Sequence, residues 1–339
     1  MKFTPAALEG LRDQHWPQII AELQSVVPPS DDPGSLSDMT WYHLQTGGKR
    51  LRAILPLAVV QTMGLRPEAA IGLGAAVEML HNATLVHDDL QDGDTHRRGK
   101  PTVWSHYGTT QAINCGDAMF YYSIALAQRI TAPSEVIHRI VDTLVGYTLA
   151  VIAGQVDEFR FKERTQPTVA DYFRIARGKT SGLFALPLVG AGILAGASEK
   201  TLRTLESVGE KLGVLFQIQD DLLDITGNKG RDRKGTDIAE GKITLMTVHA
   251  LENLPREQAL ELHAILRLPR DHTEDTHITR ALALLEASGG IARAIRYIDD
   301  VVQEIHEECK GLENRALATV LVGFSDIFLE PIRSLVHFR

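Results

Sequence analysis

HNATLVHDDLQDGDTHRRGK, residues 81–100, is the stretch on which the reading of this chain turns. As far as Gln91 it reads as helix: apolar Leu80, Leu85 and Val86 lie between polar positions, and nothing breaks the run before Gly93. Helical spacing then sets Asp88 and Asp92 one turn apart, with Asp89 beside them. The cluster falls at a helix C-terminus, where the dipole is already negative, and like charges at i,i+4 repel, so both local terms oppose it. A cation has to compensate. A hard divalent ion suits clustered carboxylate oxygens, and Arg97 and Arg98 after the Gly93 turn suit a phosphate that such an ion bridges. The plain alternative for this motif by itself is a solvated acidic helix end.

The chain around it is ordinary in composition. Its 339 residues are 44% hydrophobic and 23% charged, enough for a large core. A net charge of -8 and the absence of any long Lys/Arg block give no electrostatic case for binding nucleic acid. Cys115 and Cys309 are too few for a disulfide framework or a thiolate metal site, which points to the reducing cytoplasm. The N-terminal MKFTPAALEGLRDQHW is too charged for a signal sequence. The least polar run, Ser181 to Ser198, carries Pro187 and four glycines and only just reaches the length of a membrane span. It is expected to be a buried core helix, and no transmembrane span is expected.

Helical spacing recurs almost everywhere, as in Leu202, Leu205 and Val208 followed by Leu212, Leu215 and Phe216, while period-two alternation is rare. The breaks are short: Pro28 to Gly34, Leu65 to Glu68, Gly93 to Thr102, Thr131 to Ser134, Arg164 to Val169 and Gly227 to Gly235. None has the length or composition of an interdomain linker. The expectation is one all-α domain over residues 1–339, with a second helix starting near Ser37 and a motif-bearing core at about 37–252.

A second cluster repeats the first. FQIQDDLLDITG, Phe216 to Gly227, ends another apolar helix with Asp220, Asp221 and Asp224 in the same Asp-Asp-x-x-Asp spacing. Two such clusters on helices this apolar are hard to explain as surface decoration. If the helices face each other, their carboxylates can hold several Mg²⁺ ions, and Mg²⁺ bound by a few carboxylates completes its shell with substrate phosphates. Gly47-Gly48-Lys49-Arg50-Leu51-Arg52 offers close backbone approach and two cations for a second anion. Lys179-Thr180, the segment Arg233-Lys234-Gly235-Thr236-Asp237, and Gly241-Lys242 add cations near the second cluster. His81, on the helix before the first cluster, fits a site role and a core role equally.

Taken in order, GGKRLR, DDLQD followed by RRGKPT, Gly154-Gln155, Lys179-Thr180, FQIQDDLLD and GTDIAEGKITL resemble the trans-isoprenyl diphosphate synthases. That family comprises the farnesyl, geranylgeranyl and longer polyprenyl diphosphate synthases. The resemblance runs from Gly47 to Leu245 and implies an all-α bundle of about ten or more helices, usually a homodimer, around a deep apolar cavity between the two aspartate motifs. It implies Asp88, Asp92 and Asp220 as principal Mg²⁺ ligands, with Asp89, Asp221 and Asp224 as direct or water-mediated partners. Gly48, Lys49, Arg52, His81 and Arg98 would bind isopentenyl diphosphate. Arg97, Lys179 and Lys242 would hold the allylic diphosphate, and Thr180 and Gln217 would lie beside the developing cation. Asp232 stands where the family usually has lysine, which leaves Arg231, Arg233 and Lys234 as the candidates for that phosphate contact.

The implied activity is transfer of an allylic group onto isopentenyl diphosphate to give an all-trans polyprenyl diphosphate. Ala83 and Thr84, just below the first motif, are both small, as in members that make C20 or longer products. Leu80, Met79, Phe120, Tyr121 and Tyr122 are the candidates for closing the product tunnel. The rival readings are farnesyl diphosphate synthase and a class I terpene cyclase, whose second motif is normally of an Asn/Ser/Glu type. A non-catalytic partner subunit would be expected to have lost motif residues that this chain keeps.

Overall fold

The computed structural model describes residues 3–162, 164, 166–226, 234–333 and 335, the side chain of Lys162 excepted. Gly227, Arg231, Asp232 and Arg233, among the sequence candidates, lie outside the described residues. Helices run α1 Pro5–Val26, α2 Leu36–Leu44, α3 Leu51–Thr62, α4 Ile71–Gln91, α5 Val103–Tyr107, α6 Thr109–Gln128, α7 Ser134–Lys162 and α8 Val169–Ala176. They continue as α9 Gly182–Leu194, α10 Glu199–Thr226, α11 Thr236–Ala239, α12 Leu245–Asn253, α13 Arg256–Leu266, α14 Asp275–Ala287, α15 Gly290–Lys310 and α16 Arg315–Leu329. The fold is all-α, as the periodicity predicts. Among the described residues the exception is one antiparallel pair, β1 His96–Arg97 and β2 Lys100–Pro101, inside a segment the sequence reading left as a break. The second helix begins a residue before Ser37 because Ser35 caps it, accepting from the Asp38 amide at 3.2 Å.

Packing divides the chain into two compact units. The first is Met1–Leu149, Leu183–Gly209 and Leu312–Gly323, and the second is Ala150–Gly182, Glu210–Gly311 and Phe324–Arg339. Boundaries fall inside α7, α9, α10 and α16 and in the short turn between α15 and α16, so no long linker marks them in the sequence.

In the first unit α4 is the core helix. Every residue from Leu73 to Leu80 is buried, and α1, α3 and α6 pack on it. Gly74 lets α3 approach, since a Cβ there would stand 2.4 Å from the Ala53 carbonyl oxygen. The apolar Ser181–Ser198 run is largely α9, buried along Leu183 to Leu188 as expected. Among the described residues two helices are long and apolar enough to cross a membrane: Pro67–Gln91, 67% buried in its most apolar window, and Ser134–Phe161, 17% buried. The first is the core helix. The exposed apolar side chains in this unit include Ile113, Tyr121 and Leu149. Tyr121 is 73% exposed, so of the three aromatic residues proposed to floor a tunnel it cannot serve from within this chain.

In the second unit α12 packs against α8, α13, α14 and α15. A π-helical turn, Arg177–Ser181, follows α8. Such turns are frequent at functional sites. Here it brings the backbone of Gly178 and Lys179 against α7, where a Cβ on Gly154 would lie 2.3 Å from the Lys179 nitrogen. That close approach accounts for the Gly154 of the Gly-Gln motif. Exposed apolar side chains in this unit include Ile152, Val156 and Phe159 on α7.

Candidate functional site

The first cluster is built by the way α4 stops. Gly93 takes the left-handed conformation (φ 70°), the Asp94 amide returns to the Asp89 carbonyl at 2.9 Å, and the Gly93 amide reaches the Leu90 carbonyl at 3.3 Å. This double closure is a Schellman turn, and it turns the chain into the hairpin that carries the arginines. Arg98 and Gly99 both have positive φ, 51° and 78°, as a type I′ hairpin turn requires. The Tyr42 hydroxyl donates to the Pro101 carbonyl and Trp104 Nε1 to the Asp94 carbonyl, both at 2.8 Å, which anchors the hairpin.

Asp88 and Asp92 are half-buried, whereas Asp89 is 1% exposed and bonded to Arg97. Burial pushes the Asp89 carboxyl up to about 6, against the opposing pull of Arg97. Arg98 donates to the Gly47 carbonyl and lies on Gly48, where a Cβ would sit 2.6 Å from its Nη1. The GGKR loop and the arginine pair, 51 residues apart, thus meet. Arg52 is 8% exposed, places Nη1 3.2 Å from His81 Nε2, and lies over the Phe184 ring at 4.3 Å. Burial, with Arg52 next, holds His81 well below its usual range, so its ring is neutral. Lys49 is exposed.

The sequence reading passed over Arg50. It takes a left-handed φ of 56°, pairs with Glu78 at 2.6 Å with both side chains under 10% exposed, and also donates to the Leu44 carbonyl. That anchor fixes the path of the loop between Lys49 and Arg52. Nothing local in GGKRLR shows which of its cations turns inward.

In the second unit, Lys179, Gln217, Asp221 and Lys242 line one pocket. Thr180 donates to Gln217 at 3.0 Å, Gln217 donates to Asp221 Oδ1 at 3.0 Å, and the Tyr172 hydroxyl donates to Asp221 Oδ2 at 2.8 Å. Asp221 is therefore held at both oxygens by neutral donors. Asp220 is half-buried. Asp224 turns to the returning chain, accepting from the Thr236 hydroxyl and, at 3.0 Å, from the Asp237 amide. Lys179 pairs with Glu158 at 2.6 Å, and Lys242 with Glu240 at 2.7 Å. Lys234 is exposed. Tyr172 and Glu158 were missed, because the residues they hold stand 49 and 21 positions away in the chain.

Among the described residues no three His, Cys, Asp or Glu side chains converge as a ready-made metal cage. Mg²⁺ is usually bound by only one or two carboxylates, with water and substrate phosphates completing an octahedron. Asp88 and Asp92, one turn apart at a helix end, are a donor set of that kind.

This helical fold, with paired aspartate clusters and basic loops, defines a class that the comparisons identify. Residues 33–285 match the polyprenyl synthetase family. A geranylgeranyl diphosphate synthase of Mycobacterium tuberculosis is 35% identical over 311 residues, covering 88% of this chain and 86% of that protein. A geranylfarnesyl diphosphate synthase of Natronomonas pharaonis is 29% identical over 331 residues, covering 92% and 95%. The crystal structure of geranylgeranyl pyrophosphate synthetase from Pyrococcus horikoshii superposes with a TM-score of 0.86 at 28% identity, covering 95% of this chain and 98% of that one. The chain belongs to the polyprenyl synthetase family and has the all-α isoprenyl synthase fold. It is a prenyl-transferring enzyme.

Proposed function

We propose that the chain, as one domain, condenses isopentenyl diphosphate with an allylic diphosphate to give an all-trans polyprenyl diphosphate of C20 or longer, in a Mg²⁺-dependent reaction. The observation that carries this reading is the α4 terminus, where half-buried Asp88 and Asp92 stand beside an Asp89 that fastens Arg97. Carboxylates and arginines on one short stretch match the two faces of a metal-bound diphosphate.

Asp88, Asp92 and Asp220 would hold the Mg²⁺, which when bound neutralises charge on the departing diphosphate. Arg97, Lys179 and Lys242 hold the allylic diphosphate and take up the negative charge that grows as its carbon–oxygen bond breaks. Lys49, Arg52, His81 and Arg98 hold isopentenyl diphosphate so that its double bond meets the allylic carbon; neutral His81 orients Arg52. Thr180 and Gln217 present oxygen dipoles to the allylic cation, and Tyr172 and Gln217 keep Asp221 from drifting toward it. The proton lost in the last step goes to the released diphosphate.

The exposed apolar side chains of α6 and α7 support a homodimer, since so many in one chain favour burial against a second copy. Two buried free cysteines fit a cytoplasmic enzyme. The test is purified protein with isopentenyl diphosphate and a set of allylic primers, with products resolved by chain length, in Mg²⁺ and in EDTA. Asp88→Asn and Asp220→Asn are each expected to cost on the order of 10²-fold in turnover. Full activity in EDTA would overturn the metal reading.

A further inference from the structure

Lys49 and Arg52 are read as ligands of isopentenyl diphosphate, whereas Arg50 between them has a different task. Its side chain is 9% exposed and is held from α1, α2 and α4 at once. Glu78 Oε1 on α4 accepts from Nη1 at 2.6 Å, the Leu44 carbonyl at the end of α2 accepts from Nη2, and the guanidinium carbon stands 5.1 Å from the Trp16 ring of α1. Glu78 is fixed in turn, because the Asn82 side chain donates to the same Oε1 at 2.9 Å.

The loop needs such an anchor. Gly47 and Gly48 have φ of 91° and 124°, so the two residues ahead of the cations bring no side chain to hold the turn. Arg50 is itself left-handed at 56° and forms the N-cap of α3, and a residue with a side chain stays in that region only where its surroundings keep it there. With Arg50 fastened, α3 starts at Leu51 and Arg52 falls in its first turn, against His81. The same loop receives Arg98 on the Gly47 carbonyl and on Gly48. Lys49, Arg52 and Arg98 thus take their places from one loop. The allylic ligands are placed by other means: Arg97 by Asp89, and Lys179 and Lys242 by elements of the second unit.

Resting on the reading of this loop as the isopentenyl diphosphate site, we infer that Glu78 and Trp16 are positioning residues for that substrate, acting through Arg50. Both lie outside the motifs that carry the family resemblance, and Trp16 precedes residues 33–285, which match the family. Without the anchor the loop spreads over several conformations. Apparent affinity for isopentenyl diphosphate then falls to the fraction of molecules whose loop is in the receptive one.

The test is initial-rate kinetics of the full chain with each substrate varied in turn, beside urea unfolding. Glu78→Gln is expected to raise KM for isopentenyl diphosphate ~10-fold and KM for the allylic diphosphate by less than about twofold, with the loss in KM and not in kcat. Trp16→Leu should raise the same KM ~3-fold, and Trp16→Phe, which keeps a ring beneath the guanidinium, should return it toward the native value. Glu78→Gln strands a buried guanidinium and lowers stability, so Arg50→Met combined with Glu78→Gln, which removes both charges, is measured with it. The combined variant should recover stability and keep the raised KM, which a merely structural role does not produce. Native KM for isopentenyl diphosphate in Glu78→Gln and Trp16→Leu would overturn the inference, as would equal rises for both substrates or a KM that returns with stability in the combined variant. Arg52→Lys is the control on the underlying reading: an unchanged KM for isopentenyl diphosphate there would remove the loop as its site, and the inference with it.

Discussion

Arg97 grips Asp89 through both carboxylate oxygens, with Nε at 2.8 and 2.9 Å and Nη2 at 2.6 Å. The middle aspartate of the first motif is therefore an anchor for the arginine hairpin in this structure, while its neighbours Asp88 and Asp92 lie nearer the surface. The three carboxylates divide the work that the sequence pattern shows as one cluster.

Removing the anchor should cost more stability than removing a neighbour. Asp89→Asn leaves Arg97 without its charge partner and is expected to lower unfolding free energy by ~2–4 kcal/mol, since breaking one side of a buried ion pair strands the other. Asp88→Asn also relieves repulsion at a helix C-terminus and should cost less than Asp89→Asn. Urea unfolding of both variants without ligand makes the comparison; equal stability of the two would refute the division.

The arginine pair should separate by substrate. Arg97→Lys is expected to raise KM chiefly for the allylic diphosphate and Arg98→Lys chiefly for isopentenyl diphosphate, because lysine lacks the two-pronged geometry. Gly48→Ala gives an independent check. Its Cβ would fall 2.6 Å from Arg98 Nη1 at a backbone φ of 124°, so it should mimic Arg98→Lys and spare the allylic substrate. Initial-rate kinetics with each substrate varied in turn decide it, and equal effects on both would end the assignment.

A pH dependence follows from His43. Burial, then Arg97, Arg98 and Arg50, hold it at about 3 instead of the ordinary 6.5, against a hydrogen bond with Asn82 that works the other way. Between those two values the unfolded chain binds a proton that the folded chain refuses. Stability from this group is thus complete above 6.5 and is lost as pH falls toward 3, by up to about 1.4 kcal/mol per unit. His81, lowered in the same direction, adds to the slope. His43→Gln should flatten the fall in urea midpoint between neutral and mildly acid pH. An unchanged slope would mean that His43 takes up a proton in the folded state.

How much of this was legible in the sequence depends on reach. The end of α4 at Gln91, the two Asp-Asp-x-x-Asp clusters and the burial of α9 follow from local spacing and breakers, and all were read correctly. The hairpin was not, because its strands are two residues each and show no alternation to detect. The partners of Lys179 and Asp221 depend on contacts across 21 and 49 residues, which helical periodicity does not encode. Tyr121 shows the same limit on a smaller scale. Phe120, Tyr121 and Tyr122 read as one aromatic block, yet α6 buries Cys115, Met119, Ser123 and Leu126 and turns Tyr121 outward.

That orientation sharpens the prediction for product length. Ala83 and Thr84 precede Asp88 by about one turn on α4 and are 0% and 9% exposed, with the Thr84 hydroxyl donating to the His81 carbonyl at 2.7 Å. Small side chains here leave room that an aromatic ring would fill, which is the basis for expecting C20 or longer. Below them Leu80 and Met79 are buried at 1% and 0% exposure, and from α6 the half-buried Phe120 ring reaches within 5.6 Å of His87. Phe120 and Tyr122, both half-buried, are therefore the aromatic candidates for the floor, and Tyr121 is not. Ala83→Phe should shorten the product, Phe120→Ala or Tyr122→Ala should lengthen it, and Tyr121→Ala should leave its length unchanged. Forcing a ring into the site of a fully buried alanine costs ~1–3 kcal/mol, so Thr84→Phe is run beside it and both are checked by thermal unfolding before products are resolved by chain length. Native enzyme that stops at farnesyl diphosphate with isopentenyl diphosphate in excess, or folded Ala83→Phe and Thr84→Phe variants with native product length, would show that the floor lies elsewhere.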